Sequence, residues 1–227
     1  MGLEFSRKFL YHPTINRSMG NWSYGYKVEI GYNPQRQFLF FHGNRGCAQD
    51  RLPLVGLYGD GIYYIHEYMG YGSMAYQEPN KTSIINHSID AVEHLDISKP
   101  IYLIGESLGS AVVSEIVSKR EIHNLKGIIL ITPFCRLTEI ANKFVPVIGG
   151  VLLKDKYNCI DNLKNYKGEV VIIGGKKDKI TPYNHSERLQ EATNGHLLTF
   201  NGDHNEVYKY SYQWLNPLKK ILFDKIE

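Results

Sequence analysis

The sequence has few cysteines and no long apolar run, and these two shortages argue against several classes of protein. Only three cysteines occur in 227 residues, Cys47, Cys135 and Cys159, and none forms a CxxC pair. An odd number of widely spaced cysteines argues against a disulfide framework or a zinc site and fits a reducing compartment. No apolar run reaches the length of about 20 residues that a membrane-spanning helix needs. We therefore expect a cytoplasmic protein.

A large excess of one charge is also absent. The net charge is +3, with 22% charged and 43% hydrophobic residues, which is typical of a globular protein. No Lys/Arg block is interleaved with aromatic residues, so we expect no nucleic-acid partner. The first residues lack a basic segment followed by an apolar one, and so predict no signal peptide. Residues 1–6 match the loose myristoylation pattern, and such matches more often arise by chance. Peripheral membrane association is left as an alternative.

Short apolar runs bounded by Gly, Pro or Asn recur along the chain and alternate with segments of helical periodicity. The runs predict strands at 27–32, 37–42, 61–68, 101–105, 125–132, 169–174 and 196–200. The segments between them predict helices at 80–95, 107–119 and 186–192, and a closing helix at 208–226 that is broken near Pro217. This alternation predicts an α/β fold, with a mostly parallel central sheet and helices on both faces.

We expect a single domain over residues 1–227, because α/β chains of this length often bury one large core. The segment 133–166 interrupts the alternation of strands and helices, since it holds apolar residues and two glycines without a clear strand. A small cap is expected there.

Residues 105–109 read Gly-Glu-Ser-Leu-Gly and fit the G-x-S-x-G pattern. This pattern holds a serine in strained backbone angles at a sharp turn from a strand into a helix, where flanking glycines avoid a clash. A buried strand precedes Ser107 and a helix follows it, as the pattern requires. The simpler alternative is a helix N-terminus with a glycine-rich turn.

A serine hydroxyl needs a base to take its proton, and in this fold the order along the chain is serine, acid, histidine. His204 lies in a turn just after the last strand, whereas His196 begins that strand and His185 lies at a helix start. Asp178 follows the end of the preceding strand. Asp203 adjoins His204 and cannot easily face its Nδ1 atom. We therefore predict a triad of Ser107, His204 and Asp178.

Acyl transfer also needs backbone N–H groups that face the developing oxyanion. One is expected from Leu108, the residue after the nucleophile, and the other from Asn44, in the loop after an earlier strand. His42 is expected to shape that loop and not to act as a second base.

Residues 70–75 also match a dinucleotide-binding fingerprint, G-x-G-x-x-A, with Asp90 about twenty residues further on. Pro79 and Asn80 follow too soon for a helix to open at these glycines, so an extended loop is expected instead.

With these motifs the chain resembles the α/β-hydrolase-domain proteins that include the bud-emergence-type hydrolases and the protein depalmitoylases. The resemblance runs through most of the chain and rests on segments 41–44, 68–73, 105–109, 132–134 and 153–157 and on the turns of Asp178 and His204. It implies the α/β-hydrolase fold and hydrolysis of a carboxylic ester or thioester through an acyl-serine intermediate, without a metal or organic cofactor.

The chain departs from that family in three features. Members usually have an arginine where Met69 stands and a glycine near Met74 or Ala75. Many also carry an N-terminal membrane segment, which is absent from this sequence, although residues 7–11 resemble the segment that follows such an anchor. The loop over the site is therefore expected to differ in shape and charge.

A short cap is expected to leave the serine accessible to a long acyl chain. Tyr71, Tyr76, Phe134 and Phe144 are candidate walls of an acyl pocket, but aromatic residues in such loops are more often plain packing. Seven lysines could form a basic rim that favours anionic lipid or acidic protein, although nearby acids offset them and a solvated surface is favoured: Lys154, Lys156, Lys164, Lys167, Lys176, Lys177 and Lys179. A peptidase and a non-catalytic scaffold remain the alternatives to an esterase or thioesterase.

Overall fold

The central element is a seven-stranded sheet. The structure is a computed structural model and describes residues 7, 10–16, 18–144, 151 and 153–223. The strands are β1 His12–Pro13, β2 Gly25–Ile30, β3 Gln37–Phe41, β4 Arg45–Gly46, β5 Gly61–His66, β6 Ile101–Glu106, β7 Leu125–Ile131, β8 Glu169–Gly175 and β9 His196–Phe200. Strands β1 and β4 form a separate two-stranded pair.

The order of strands in the large sheet is β2-β5-β3-β6-β7-β8-β9. Strand β2 is antiparallel to β5, with Gly25 opposite His66, and the other pairs are parallel. The carboxyl ends of β3, β6, β7 and β8 therefore meet at one edge of the sheet. In open α/β sheets this edge is where functional loops converge.

Helices cover both faces of the sheet. They are α1 Lys81–Glu93, α2 Leu108–Lys119, α3 Leu137–Phe144, α4 Cys159–Leu163, α5 Asn184–Thr193 and α6 Leu215–Leu222, with 3-10 helices at Ala48–Leu54, His204–Glu206 and Ser211–Gln213. Leu39 and Phe41 of β3 pack in the cluster that includes α1 and α2, whereas Phe38 and Phe40 pack in the cluster that includes α6. The alternation of side chains along a strand thus gives each face its own core.

The seven predicted strands of the large sheet are confirmed, each to within two residues at either end. The helix predicted over 80–95 is also confirmed, and Asn80 caps it by accepting the N–H of Ser83 at 3.0 Å. An α/β fold with a mostly parallel sheet is therefore what the chain adopts. Within the expected cap, α3 and α4 are described, whereas residues 145–150 and 152 lie outside the described residues.

The prediction that the closing helix breaks near Pro217 is wrong. The described helix begins at Leu215, so Pro217 lies in its first turn. A backbone N–H has no intrahelical partner in that turn, and proline is tolerated there. The segment before it forms the short 3-10 helix Ser211–Gln213 instead, and residues 224–227 lie outside the described residues.

The β1–β4 pair was not predicted. It places the first described segment beside the loop that follows β3, with His12 opposite Arg45. Tyr11 anchors this segment, since its hydroxyl donates to the buried carboxylate of Asp155 at 2.9 Å. The same carboxylate oxygen lies 3.3 Å from Arg7 Nε and accepts the backbone N–H of Lys81 at 3.0 Å. Asp155, which lies within the cap segment, therefore joins that segment to the N-terminal segment and the start of α1.

Candidate active site

Ser107 lies at the turn between β6 and α2, at the carboxyl edge of the sheet. Its backbone angles are φ 52° and ψ −107°, a strained region for a residue with a side chain. A Cβ atom added at Gly105 would lie 2.4 Å from the carbonyl oxygen of Gly109, and one added at Gly109 would lie 2.0 Å from that of Phe41. The two glycines are therefore required for the close approach of β6, α2 and β3 that produces this turn.

His204 follows β9 and begins a 3-10 helix that brings its ring to Ser107. The distance from His204 Nε2 to Ser107 Oγ is 3.1 Å, and the distance from His204 Nδ1 to Asp178 Oδ2 is 2.7 Å. Both are hydrogen-bond distances. The side chain of Asp178 is only 1% exposed and that of His204 is 9% exposed. The structure thus brings together the three residues that the sequence singled out as a triad.

Asp178 lies in the loop after β8, and this loop fixes its orientation. Its Oδ1 atom accepts the backbone N–H groups of Ile180 and Thr181, both at 2.8 Å. The flanking residues Lys177 and Lys179 are exposed. The side chain of Asp178 therefore faces the site while the two lysines face solvent.

Thr181 is a member of this site that sequence reasoning missed. Its Oγ1 atom lies 2.9 Å from Asp178 Oδ2, 3.0 Å from His204 Nδ1 and 3.1 Å from the carbonyl oxygen of Thr132. One hydroxyl proton serves these neighbours, and the oxygen lone pairs are available to the imidazole N–H. In the sequence, the only local sign of this role is that Thr181 lies three residues after Asp178.

Asp203 contacts the backbone of His204 and not its ring. It accepts the N–H of His204 at 2.7 Å and the N–H of Lys179 at 3.1 Å. These two hydrogen bonds lower the pKa of Asp203 below its usual value. Asp203 thereby ties the loop of Asp178 to the turn of His204.

The two expected oxyanion donors follow the carboxyl ends of the neighbouring parallel strands β6 and β3. Leu108 is the first residue of α2, where a backbone N–H has no partner within the helix. Asn44 follows the carboxyl end of β3, and its side-chain amide donates to the carbonyl of Leu10 at 2.6 Å. The hydroxyl of Tyr71 lies 3.1 Å from both the carbonyl oxygen and Oδ1 of Asn44. The N-terminal segment and the loop after β5 therefore hold this residue.

His42 lies beneath the same loop and is fully buried. Its Nδ1 atom is 2.7 Å from the carbonyl oxygen of Gly43, and its Nε2 atom is 3.5 Å from Oε1 of buried Glu67. Glu67 also accepts the backbone N–H of Ala48 at 3.2 Å. These contacts agree with the expected loop-shaping role of His42. They also show that Glu67, which the sequence did not single out, supports the loop.

The other histidines near the carboxyl half of the sheet lie in different settings. His185 is buried at the start of α5 and accepts the N–H of Cys135 at 3.2 Å. Burial lowers the pKa of His185. His196 is exposed at the start of β9, as predicted.

The described residues among the four candidate acyl-pocket walls lie in different settings. Tyr71 and Phe134 are buried in the core, so they offer no free surface to a substrate. Tyr76 is exposed and lines a cavity of about 410 Å³ together with Tyr11, Ile15 and Pro79. The side chain of Phe144 lies outside the described residues. The described candidates thus divide between the core and the cavity.

The glycine segment 70–75 forms turns, and α1 begins only at Lys81, as expected for an extended loop.

The seven lysines of the proposed basic rim are all exposed: Lys154, Lys156, Lys164, Lys167, Lys176, Lys177 and Lys179. Asp155, one of the acids near these lysines in the sequence, is buried and accepts a hydrogen bond from Tyr11. Among the described residues, no helix combines the length and the apolar character needed to cross a bilayer.

This sheet order and the turn at Ser107 are those of the α/β-hydrolase fold, and solved structures share it. A lipase-esterase related protein from Clostridium acetobutylicum is 20% identical with a TM-score of 0.66, and 86% of this chain and 98% of that chain are covered. An α/β hydrolase, MGS-M2, from a deep-sea metagenome library is 15% identical with a TM-score of 0.70, covering 89% and 94%. An esterase from Pyrococcus furiosus is 14% identical with a TM-score of 0.66, covering 94% and 97%.

Among curated proteins, the uncharacterized protein YfhR of Escherichia coli K12 is 25% identical over 191 residues. That alignment covers 74% of this chain and 65% of YfhR, so the chain spans slightly less than two thirds of its relative. A scan against protein-family models matches none of them.

Proposed function

We propose that the protein is a serine hydrolase that cleaves carboxylic esters or acyl thioesters through an acyl-serine intermediate. The observation that carries the proposal is the chain of two hydrogen bonds, 3.1 Å from Ser107 to His204 and 2.7 Å from His204 to Asp178, at a strained strand-to-helix turn. Strain of this kind persists where the surrounding structure requires it, as at a nucleophile.

In the first half of the reaction, Ser107 Oγ attacks the substrate carbonyl carbon while His204 Nε2 takes its proton. The carbonyl electron pair moves to oxygen, and the N–H groups of Leu108 and Asn44 stabilise that negative charge. When the carbonyl re-forms, the alcohol or thiol leaves with the proton from His204. The Asp178 carboxylate orients the imidazole and stabilises its protonated form.

In the second half, water replaces the leaving group. His204 takes a proton from the water, whose oxygen attacks the acyl carbonyl, and the ester bond to Ser107 breaks. Ser107 regains its proton from His204, and the carboxylic acid is released. No step requires a group beyond the residues of this site and water.

A panel of p-nitrophenyl esters and acyl thioesters graded by acyl-chain length determines whether esters or thioesters are preferred and which acyl-chain length is cleaved fastest. We expect turnover to vary with chain length, because a site that buries an acyl chain gains affinity with each methylene that leaves water.

Ser107→Ala should abolish turnover and labelling by a fluorophosphonate probe while the protein stays folded, because alanine removes the nucleophile without adding volume. Ser118→Ala, on the same helix but far along it, is the matched control and should label like wild type. Labelling that survives Ser107→Ala would show that another residue is the nucleophile. A folded wild-type protein that takes no probe would favour a non-catalytic scaffold, and cleavage of peptides but no ester would favour a peptidase.

A further inference from the structure

Glu106, the residue before the nucleophile, has a carboxylate that is held by a fork of two hydrogen bonds. Arg51 donates from Nη2 to Oε1 at 2.7 Å and from Nε to Oε2 at 3.0 Å. The hydroxyl of Tyr208 donates to Oε2 at 3.1 Å. The side chains of Arg51 and Glu106 are only 18% and 15% exposed. This pair is therefore shielded from solvent and has the planar geometry in which Arg–carboxylate bonds are strongest.

The three partners come from the three segments that carry the reacting groups. Arg51 lies in the 3-10 helix Ala48–Leu54, just beyond the Asn44 loop. Glu106 ends β6 and precedes Ser107, and Tyr208 lies four residues after His204. The carboxylate also lies against the Asn44 loop, since a Cβ atom added at Gly43 would be 2.9 Å from Glu106 Oε1.

The charge of Glu106 matters because of where it is. An uncompensated carboxylate on the residue before Ser107 would oppose the negative charge that develops on the substrate oxygen and would favour the protonated form of His204. Arg51 supplies the opposite charge. Burial raises the pKa of the Tyr208 phenol, and the Glu106 carboxylate adds to the shift, so this hydroxyl stays protonated and donates.

We propose that Arg51 is a positioning residue for the reaction: through Glu106 it fixes the Asn44 loop and the His204 segment relative to Ser107. It also neutralises the carboxylate next to the nucleophile. The inference rests on the proposed hydrolase function. Arg51 is not a catalytic residue, because it acts through Glu106 and Tyr208.

The test compares Arg51→Ala, Arg51→Lys and a matched control, Arg120→Ala. Arg120 also pairs with a glutamate, Glu93, at 3.2 Å, but both side chains are about half exposed. Initial rates of p-nitrophenyl butyrate hydrolysis are measured across the pH range in which all variants stay folded. The control should retain wild-type kcat, KM and pH profile.

Arg51→Ala should lower kcat about 30-fold or more, with KM changed less than about threefold, because the alignment of the reacting groups is lost and substrate binding is not. The acid limb of its pH profile should move upward by about 0.5–1 pH unit, because the unpaired carboxylate favours protonated His204. Arg51→Lys should restore the position of that limb but only part of kcat, since an ammonium cannot form the planar fork.

A second variant keeps the test decisive if Arg51→Ala does not fold. Tyr208→Phe removes one hydroxyl and should lower kcat about 3–10-fold, with an unchanged midpoint of unfolding in urea. Wild-type kcat in both Arg51→Lys and Tyr208→Phe would overturn the inference. The inference would also be overturned if Arg51→Ala lowered kcat without moving the pH profile and Arg51→Lys restored none of the lost kcat. A wild-type protein that takes no fluorophosphonate overturns the hydrolase function itself, whereas labelled wild type with normal Arg51 variants overturns only this inference.

Discussion

At the scale of single residues, two aspartates lie close to His204 and make different contacts. Asp178 faces the ring at 2.7 Å, whereas Asp203 accepts the backbone N–H. Asp178→Asn should lower kcat by about 10⁴-fold, because an amide places the imidazole in the wrong tautomer. Asp203→Asn should lower it less than about tenfold, because the amide oxygen still accepts backbone N–H groups. Steady-state kinetics with urea unfolding as the folding check measures both, and a reversed order would show that Asp203 is the acid.

Thr181 offers a second test at this scale. Thr181→Val keeps the shape of the side chain and removes the hydroxyl that lies 2.9 Å from Asp178 Oδ2 and 3.0 Å from His204 Nδ1. We expect kcat to fall about tenfold, the equivalent of one hydrogen bond of about 1.4 kcal/mol. Thr181→Ser, which retains the hydroxyl, should stay close to wild type. Equal losses in the two variants would assign the effect to the lost methyl contacts and not to the hydroxyl.

These single residues separate what the sequence predicts from what it does not. Ser107, Asp178 and His204 each follow a strand, so the local pattern is enough to place them at one edge of the sheet. Thr181 has a local signal, since it lies three residues after Asp178, but Arg51 depends on a contact across the fold and is 55 residues from its partner Glu106. No local periodicity carries that information.

At the scale of elements, the turn between β6 and α2 stores strain at Ser107. Glycine adopts φ 52°, ψ −107° more readily than alanine, so Ser107→Gly should be more stable than Ser107→Ala. Relief of about 1–3 kcal/mol of strain exceeds the entropy penalty of about 0.5–1 kcal/mol for glycine. Urea unfolding of the two inactive variants should give a difference of about 1 kcal/mol. Alanine proving the more stable would mean that the turn is unstrained.

Helices α1 and α2 are joined by a buried carboxylate. Glu115 of α2 pairs with Lys81 at 2.5 Å and Lys119 at 2.9 Å. Burial alone would raise the pKa of Glu115, but the hydrogen bonds from these lysines outweigh it and lower the pKa. A carboxyl whose pKa is lower in the folded state stabilises the fold above its unfolded pKa, and this contribution is lost as the pH falls through the folded value.

Glu115→Gln should therefore destabilise the protein by about 1–3 kcal/mol at pH 7, and the gap to wild type should narrow below about pH 4. Urea midpoints at pH 7, 5 and 3.5 measure the trend. Glu93→Gln, in the exposed pair with Arg120, should change stability by less than about 1 kcal/mol throughout. A gap for Glu115→Gln that is constant with pH would show that the charge is not what stabilises the pair.

The elements were predictable where one local signal dominates. The strands of the large sheet are buried, so their sequences are short apolar runs ended by turn residues. This pattern can be recognised in the sequence alone. Pro217 misled because proline indicates either a break or a first turn, and only the packing of Trp214 and Leu218 in the core decides between them. The β1–β4 pair has only two residues in each strand and no pattern of its own.

At the scale of the whole molecule, the reactivity of the three cysteines measures whether the core unfolds as one unit. All three are free and buried, and burial raises the pKa of Cys135 to about 11 and that of Cys159 to about 12. Since the thiolate is the reactive form, we expect no reaction with a disulfide reagent in the native protein and three equivalents after unfolding. Labelling and circular dichroism should share one urea midpoint, as a single domain requires. A thiol that reacts at lower urea would identify a separately unfolding part.

The place of β9 has a consequence for synthesis. This strand joins the edge of the sheet last in chain order, and His204 comes 97 residues after Ser107. At about 5–20 residues per second, a growing chain contains Ser107 for about 5–20 s before His204 is made. Under the proposed function, the serine hydroxyl has no base during that interval, and it gains one only when the final strand joins a sheet whose other strands are already made.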